Sequence, residues 1–119
     1  MRDFHQLKVW DRSHRLVLTI YRVSAGFPPR EIYSLTNQLR RAAVSIASNI
    51  AEGCGRGTEA EFARFLQIAM GSASEVQYDL LLSKDLGFLD SDQHQDLERD
   101  VTEVKRMLSA LIKKLKTDS

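Results

Sequence analysis

Cysteine, proline and histidine are all scarce in this chain of 119 residues, and each scarcity closes off a class of answer. Cys54 is the only cysteine, so neither a disulfide framework nor the paired-cysteine spacing of a zinc site can be built. The two prolines stand together at Pro28 and Pro29, and a chain with so few helix breakers favours long helices. His5, His14 and His94 do not cluster, and the Glu-x-x-His pattern of bundle metal sites does not occur; Asp11-x-x-His14 is the nearest approach. No serine stands in a nucleophile elbow, and Cys54 has no histidine beside it in sequence. The expectation is a protein that is not an enzyme and carries no metal and no cofactor. No apolar run approaches the roughly 20 residues that span a bilayer. Residues 1–8 hold no apolar signal core. A cytoplasmic location without membrane contact is therefore expected.

Charge of one sign is also lacking overall, since the net charge is +1, but the charge is unevenly spread. Residues 1–57 carry nine Lys or Arg against four Asp or Glu, a net +5; residues 58–103 carry three against eleven, a net −8; residues 104–119 carry five against one, a net +4. Such asymmetry marks either a nucleic-acid face or basic and acidic segments that pair with each other in the fold. The position of the arginines separates the two: gathered in one patch, or scattered among carboxylates.

What is present is helical periodicity. Length and a hydrophobic share of 43% fit one globular domain over residues 1–119. A first helix runs from about Leu7 to Ala25, with Leu7, Trp10, His14, Val17 and Tyr21 on one side and Leu16, Ile20 and Val23 on another, so burial on two sides is expected. Phe27-Pro28-Pro29 stops it. A second helix starts near Leu35 with Ser34 as its cap and ends at the glycines after Glu52, its core row being Leu35, Leu39, Ala42, Ala43, Ile46 and Ile50. A third begins at Thr58, where Thr58-x-x-Glu61 fits a capping box, carries the stripe Phe62, Phe65, Leu66, Ala69, Ala73, Val76 and Leu80, and closes at Gly87. A fourth follows a possible cap at Asp90 to Gln93 and repeats Leu97, Val101, Val104, Leu108, Leu111 and Leu115 at bundle-seam spacing. Short connections make neighbours antiparallel, so the predicted fold is an all-α, up-down-up-down four-helix bundle.

The second helix carries the candidate site. Gln38, Arg41, Ser45, Asn49 and Glu52 share a side that borders the core row. Asn and Ser are poor formers of helix interiors, because their side chains compete for backbone bonds. The row is either a set of specific hydrogen bonds to another helix, subunit or ligand, or a solvated face without lysine. On the first reading Arg41, Asn49 and Glu52 are largely enclosed, and Arg40 or Arg41 bonds a carboxylate, Glu52 or Glu75, because a buried charge requires a partner. Arg56, in the run Gly53-Cys-Gly-Arg-Gly57 before a helix start, belongs either to a flexible turn or to an anion site. On the third helix Arg64, Ile68, Gly71, Glu75, Tyr78 and Leu82 form a mixed outer side; a glycine there costs about 1 kcal/mol against alanine, which a close helix approach or an interface would explain.

The string Leu35-Thr-Asn-Gln-Leu-Arg-Arg-Ala-Ala-Val-Ser-Ile-Ala-Ser-Asn-Ile-Ala-Glu-Gly-Cys-Gly-Arg56 resembles the four-helix-bundle protein family, also called the 23S rRNA intervening sequence protein family. Leu7-Lys-Val-Trp10, Phe27-Pro28, Glu61-Phe62 with Phe65-Leu66, and Ala69-Met-Gly-Ser-Ala-Ser-Glu75 extend the resemblance over nearly the whole chain. The family pattern has Pro at Ala47 and Gly at Ser34, so the second helix should be straighter here. The resemblance implies small bundles that assemble into rings, five copies being the expected number. Some members are encoded within intervening sequences of bacterial 23S rRNA genes. A distantly similar protein, the accessory variability determinant of diversity-generating retroelements, is a basic ring that works with a reverse transcriptase and RNA; this chain, at +1, departs from it. Three functions follow for comparison: an oligomeric scaffold for a protein partner, an RNA- or DNA-associated protein acting through an arginine-rich surface, and an enzyme with a bundle-core site, for which the residues are missing.

Overall fold

Four long helices account for most of the computed structural model, which describes residues 2–118. They are α1 (Lys8–Ser24), α2 (Leu35–Cys54), α3 (Glu59–Asp85) and α4 (Ser91–Asp118), with 3-10 turns at Phe4–Gln6 and Pro29–Glu31. Each start and stop has a local cause. The Thr58 hydroxyl accepts the Glu61 amide at 3.1 Å, as the capping box requires, but the Glu61 carboxylate turns to Arg64 instead of returning to Thr58. Asp90 and Gln93 form a complete reciprocal cap, each backbone amide donating to the other's side chain at 3.1 and 2.7 Å. Gly87 supplies the left-handed turn after α3 at φ 83°. Ser34 occupies the cap position of α2 but makes no capping bond with its side chain; the Glu31 carboxylate accepts the Leu35 amide there, at 3.4 Å.

Pairings between helices run in opposite directions. Along α2 and α3, Gln38 meets Asp79 and Ser45 meets Ser72, while Gly53 abuts Phe65. Along α1 and α2, Tyr21 meets Arg40, while Trp10 and Ala51 line one end of a shared groove. Arg12 lies near Glu103 and Arg15 near Asp100, so α4 is antiparallel to α1 as well. α1 and α3, like α2 and α4, sit on the diagonals. The result is an up-down-up-down bundle of 46 × 23 × 20 Å.

The interior follows the predicted stripes, with two shifts. Phe62, Leu66, Ala69, Ala73, Val76 and Leu80 are fully enclosed against Leu39, Ile46, Ile50, Leu97, Val101 and Leu108. On α4, Ile112 is buried and Leu111 only half so. A straight α-helix drifts about 20° per heptad from a 3.5-residue seam, which carries Leu111 to the margin and brings Ile112 in. On α1, Val9, Leu16 and Ile20 enter the core with Val17 beside them and Trp10 is half-buried against it, while His14 and Tyr21 stay exposed, so the expected burial on two sides is met only in part within one chain.

The turn after α2 is shorter than the run of glycines suggests and is confined to Gly55, Arg56 and Gly57. Gly53 is inside α2 and buried, and the helix runs on to Cys54. The N-terminal segment straps this end: the Arg2 amide donates to the Cys54 carbonyl at 2.9 Å, and the Arg2 guanidinium pairs with Glu59 at 2.7 Å over the Phe62 ring.

Candidate interaction surface

The polar row of α2 divides into three by its partners. Gln38, Ser45 and Asn49 look toward α3. The Gln38 amide donates to Asp79 Oδ1 at 2.7 Å, the Ser45 and Ser72 hydroxyls bond at 2.8 Å, and the Asn49 amide turns back to the Ser45 carbonyl at 2.8 Å and hydroxyl at 3.0 Å. Arg40 looks the other way, toward α1. Its guanidinium donates to Ser24 Oγ at 2.8 Å and the Tyr21 carbonyl at 3.2 Å, and lies over the Tyr21 ring. Arg41 and Glu52 point outward.

The expected enclosure is therefore corrected. Arg41 and Glu52 are exposed and Asn49 is half-buried. Neither Arg40 nor Arg41 bonds a carboxylate; Glu52 instead pairs with Arg56 one turn on, at 3.0 Å, and Arg56 covers the Phe65 ring. Arg40 is satisfied by neutral oxygens, and a guanidinium at the bundle edge keeps enough water for that to suffice. Arg56, in the turn after α2, is thus engaged by the end of that helix, with no anion required.

The group that is enclosed is Asp79. It is 0% exposed, it has only the Gln38 amide as a side-chain donor, and its Oδ2 has no partner. Burial pushes its carboxyl above the ordinary carboxylate range, the Gln38 bond opposes this, and the charge of Glu75 one turn away adds to the rise. The sequence held a signal for it. Asp79 follows Val76 by three and precedes Leu80 by one, which puts it against the core stripe.

Two grooves flank the row. One, of about 380 Å³ between α1 and α2, is almost wholly apolar, with Trp10, Val17, Val44, Ala47 and Ala51 in its walls and the His14 ring stacked on Trp10 at 5.1 Å. The other, of about 590 Å³ between α2 and α3, is polar and holds Tyr33, Gln38, Arg41, Ser45 and Glu75. Large apolar side chains stand exposed on α1 (Leu18, Tyr21), before α2 (Ile32, Tyr33), on α2 (Val44) and on α3 (Ile68, Tyr78, Leu81), and none on α4 among the described residues. A Cβ at Gly71 would meet nothing within 4 Å, so no close approach inside the chain accounts for that glycine.

The arginines are scattered, and six of the eleven are paired: Arg2, Arg15, Arg56, Arg64, Arg99 and Arg106 each bond a carboxylate, four of them within their own helix. Among the described residues no group of three or more His, Cys, Asp or Glu is placed to hold a metal ion, and no helix is long and apolar enough to cross a membrane.

A family model described as 23S rRNA-intervening sequence protein matches residues 5–110. A solved structure from Bacteroides thetaiotaomicron VPI-5482, described as a protein with unknown function from the S23 ribosomal protein family, superposes with a TM-score of 0.80 at 27% identity, over 88% of this chain and 98% of that one. None of the curated proteins matches.

Proposed function

Since the chain belongs to the 23S rRNA-intervening sequence protein family, we propose that it is a non-enzymatic scaffold of the cytoplasm that assembles with copies of itself into a closed ring and presents a surface to a protein partner. The observation that carries this reading is the distribution of exposed apolar side chains, which cover α1, α2 and α3 and spare α4. A monomer rarely leaves such surface in water, and cyclic closure is a common way to cover a patch repeated on every copy. α4, with its outer side polar, is then the part that faces solvent or a partner. Ring closure at five copies is the count that family resemblance favours.

The pairing of arginines with carboxylates weighs against a nucleic-acid surface built from them, because phosphate binding draws on clustered, available cations. Light scattering after size exclusion tests the assembly. At micromolar concentration the expected mass is a multiple of the 13.5 kDa chain, unchanged after nuclease treatment. A mass of one chain refutes the reading, and a mass that falls with nuclease favours the nucleic-acid alternative.

A further inference from the structure

Six arginines find a carboxylate close by, five of them by reaching back three or four residues: Arg15 has Asp11, Arg64 has Glu61, Arg99 has Asp96 and Arg106 has Glu103 within one helix, and Arg56, two residues past the end of α2, has Glu52. Arg41 and Glu75 do not follow this pattern. Both are exposed, both stand in the polar groove between α2 and α3, and neither makes an ion pair or side-chain hydrogen bond, with each other or with any other described residue. Apolar side chains frame them: Val44 lies three residues beyond Arg41 on α2, and Tyr78 three beyond Glu75 on α3, 40% and 58% exposed. Gly71, four residues before Glu75, leaves open space on the same side of α3. Tyrosine and arginine amid apolar surface are what interface centres enrich.

We infer that Arg41 of one subunit pairs with Glu75 of its neighbour when copies of this chain assemble. The inference rests on the assembly reading above and names the contact that reading leaves open. The occupant is a second copy because each chain carries both an unanswered cation, on α2, and an unanswered anion, on α3. Every copy thus holds the complement of what its neighbours lack, whereas a foreign partner would have to supply both independently. In a head-to-tail ring every subunit offers Arg41 to one neighbour and Glu75 to the other, so each junction uses the pair once. Removal of water at the junction strengthens the attraction beyond its value on a free surface and penalises like charges placed there.

Charge reversal tests this. Arg41→Glu and Glu75→Arg should each disperse the assembly, raising its apparent dissociation constant roughly tenfold or more, since like charges facing at an interface are strongly disfavoured. Helicity should stay that of the parent by circular dichroism. The double variant in one chain should reassemble. A one-to-one mixture of the two single variants should also reassemble, because every junction between unlike subunits again sets opposite charges face to face. Subunits must then alternate, so closed rings of the mixture hold even numbers of chains. Single variants that keep the parent's mass and affinity overturn the pairing while leaving self-assembly intact, and so does a double variant that stays dispersed. A parent protein of one-chain mass overturns the assembly reading, and the pairing with it. If a reversed variant fails to fold, Arg41→Gln and Glu75→Gln carry the comparison: together they should weaken assembly no more than either alone, and additive losses overturn the pairing.

Discussion

Gly53→Leu is expected to destabilise the bundle by about 3 kcal/mol, the upper end of what overpacking a closed interior costs, a fall in melting temperature of roughly 12 °C for a chain of this size. The cause is the approach of α2 to α3. A Cβ at position 53 would lie 2.8 Å from Phe65 Cβ and 3.1 Å from Phe62 Cδ1. Phe65 Cβ is fixed to the backbone of α3 and no rotamer moves it, so the two helix ends must separate. Even Gly53→Ala sets two effects against each other. Alanine is favoured over glycine inside a helix by about 1 kcal/mol, whereas an added methyl that displaces backbone costs about 2–3 kcal/mol. The clash wins, and a net loss of about 1–2 kcal/mol remains. Gly71→Ala is the control, since open space there leaves only the propensity gain. Denaturant unfolding at fixed protein concentration measures both. If Gly53→Ala proves more stable than the parent, the close approach does not govern this helix pair.

A second expected result is that Asp79→Asn stabilises the protein at neutral pH by about 1–2 kcal/mol, because replacing a poorly compensated buried ion with a neutral group removes its desolvation cost. The sign follows from burial. The folded state raises the Asp79 carboxyl above its ordinary value of 3.8, so folding favours the protonated form. The stability that this supplies is complete below the ordinary carboxylate range and is lost as pH rises through the raised value. At neutral pH the charge is held with one amide donor and an orphaned oxygen. Asparagine keeps the acceptor for Gln38 and drops the charge. Other carboxyls act in the opposite direction: Arg64 lowers Glu61, Arg106 lowers Glu103 and His5 lowers Asp3. Their contributions are present above the ordinary range and fade on acidification, so the protein's own pH curve mixes both signs. The difference between variant and parent isolates Asp79. It should be largest near neutral pH and close, or reverse, toward pH of about 3. A gap that stays constant across that interval would show that Asp79 is not titrating in the folded protein.

Glycine illustrates how much of this molecule can be read before folding it. Gly87 was legible as a helix stop, because the apolar stripe ends just before it and a left-handed residue has to follow. Gly53 was not, because its neighbours Gly55 and Gly57 gave the whole run the look of a loop. What calls for a glycine inside the helix at position 53 is the lack of room that Phe62 and Phe65 leave beside it, a property of two segments together. The same distinction separates the stripe of α3, which is a pattern along one helix, from the partners of the polar row, which come from elsewhere. Periodicity placed Gln38 and Ser45 at the core's border correctly. It did not name Asp79 and Ser72 as what they meet, because register between α2 and α3 is set by packing over the whole length. Arg41 was expected to be enclosed on the argument that a side chain beside the core must leave water. A long arginine can instead cover apolar surface with its stem and keep its head outside.

The strap across the end of α2 gives the lone thiol a use. Cys54 is 1% exposed, burial raises its thiol above the ordinary range, and its carbonyl is tied to the Arg2 amide. A thiol that is both shielded and protonated reacts with an alkylating reagent only in moments when the strap and the last turn of α2 lift away. Under conditions where reclosing is faster than alkylation, the rate of modification divided by that of a free cysteine is the equilibrium constant for that excursion. The chain thus carries its own clock for fraying at one end of the bundle, with no probe introduced and no second cysteine to confuse the reading.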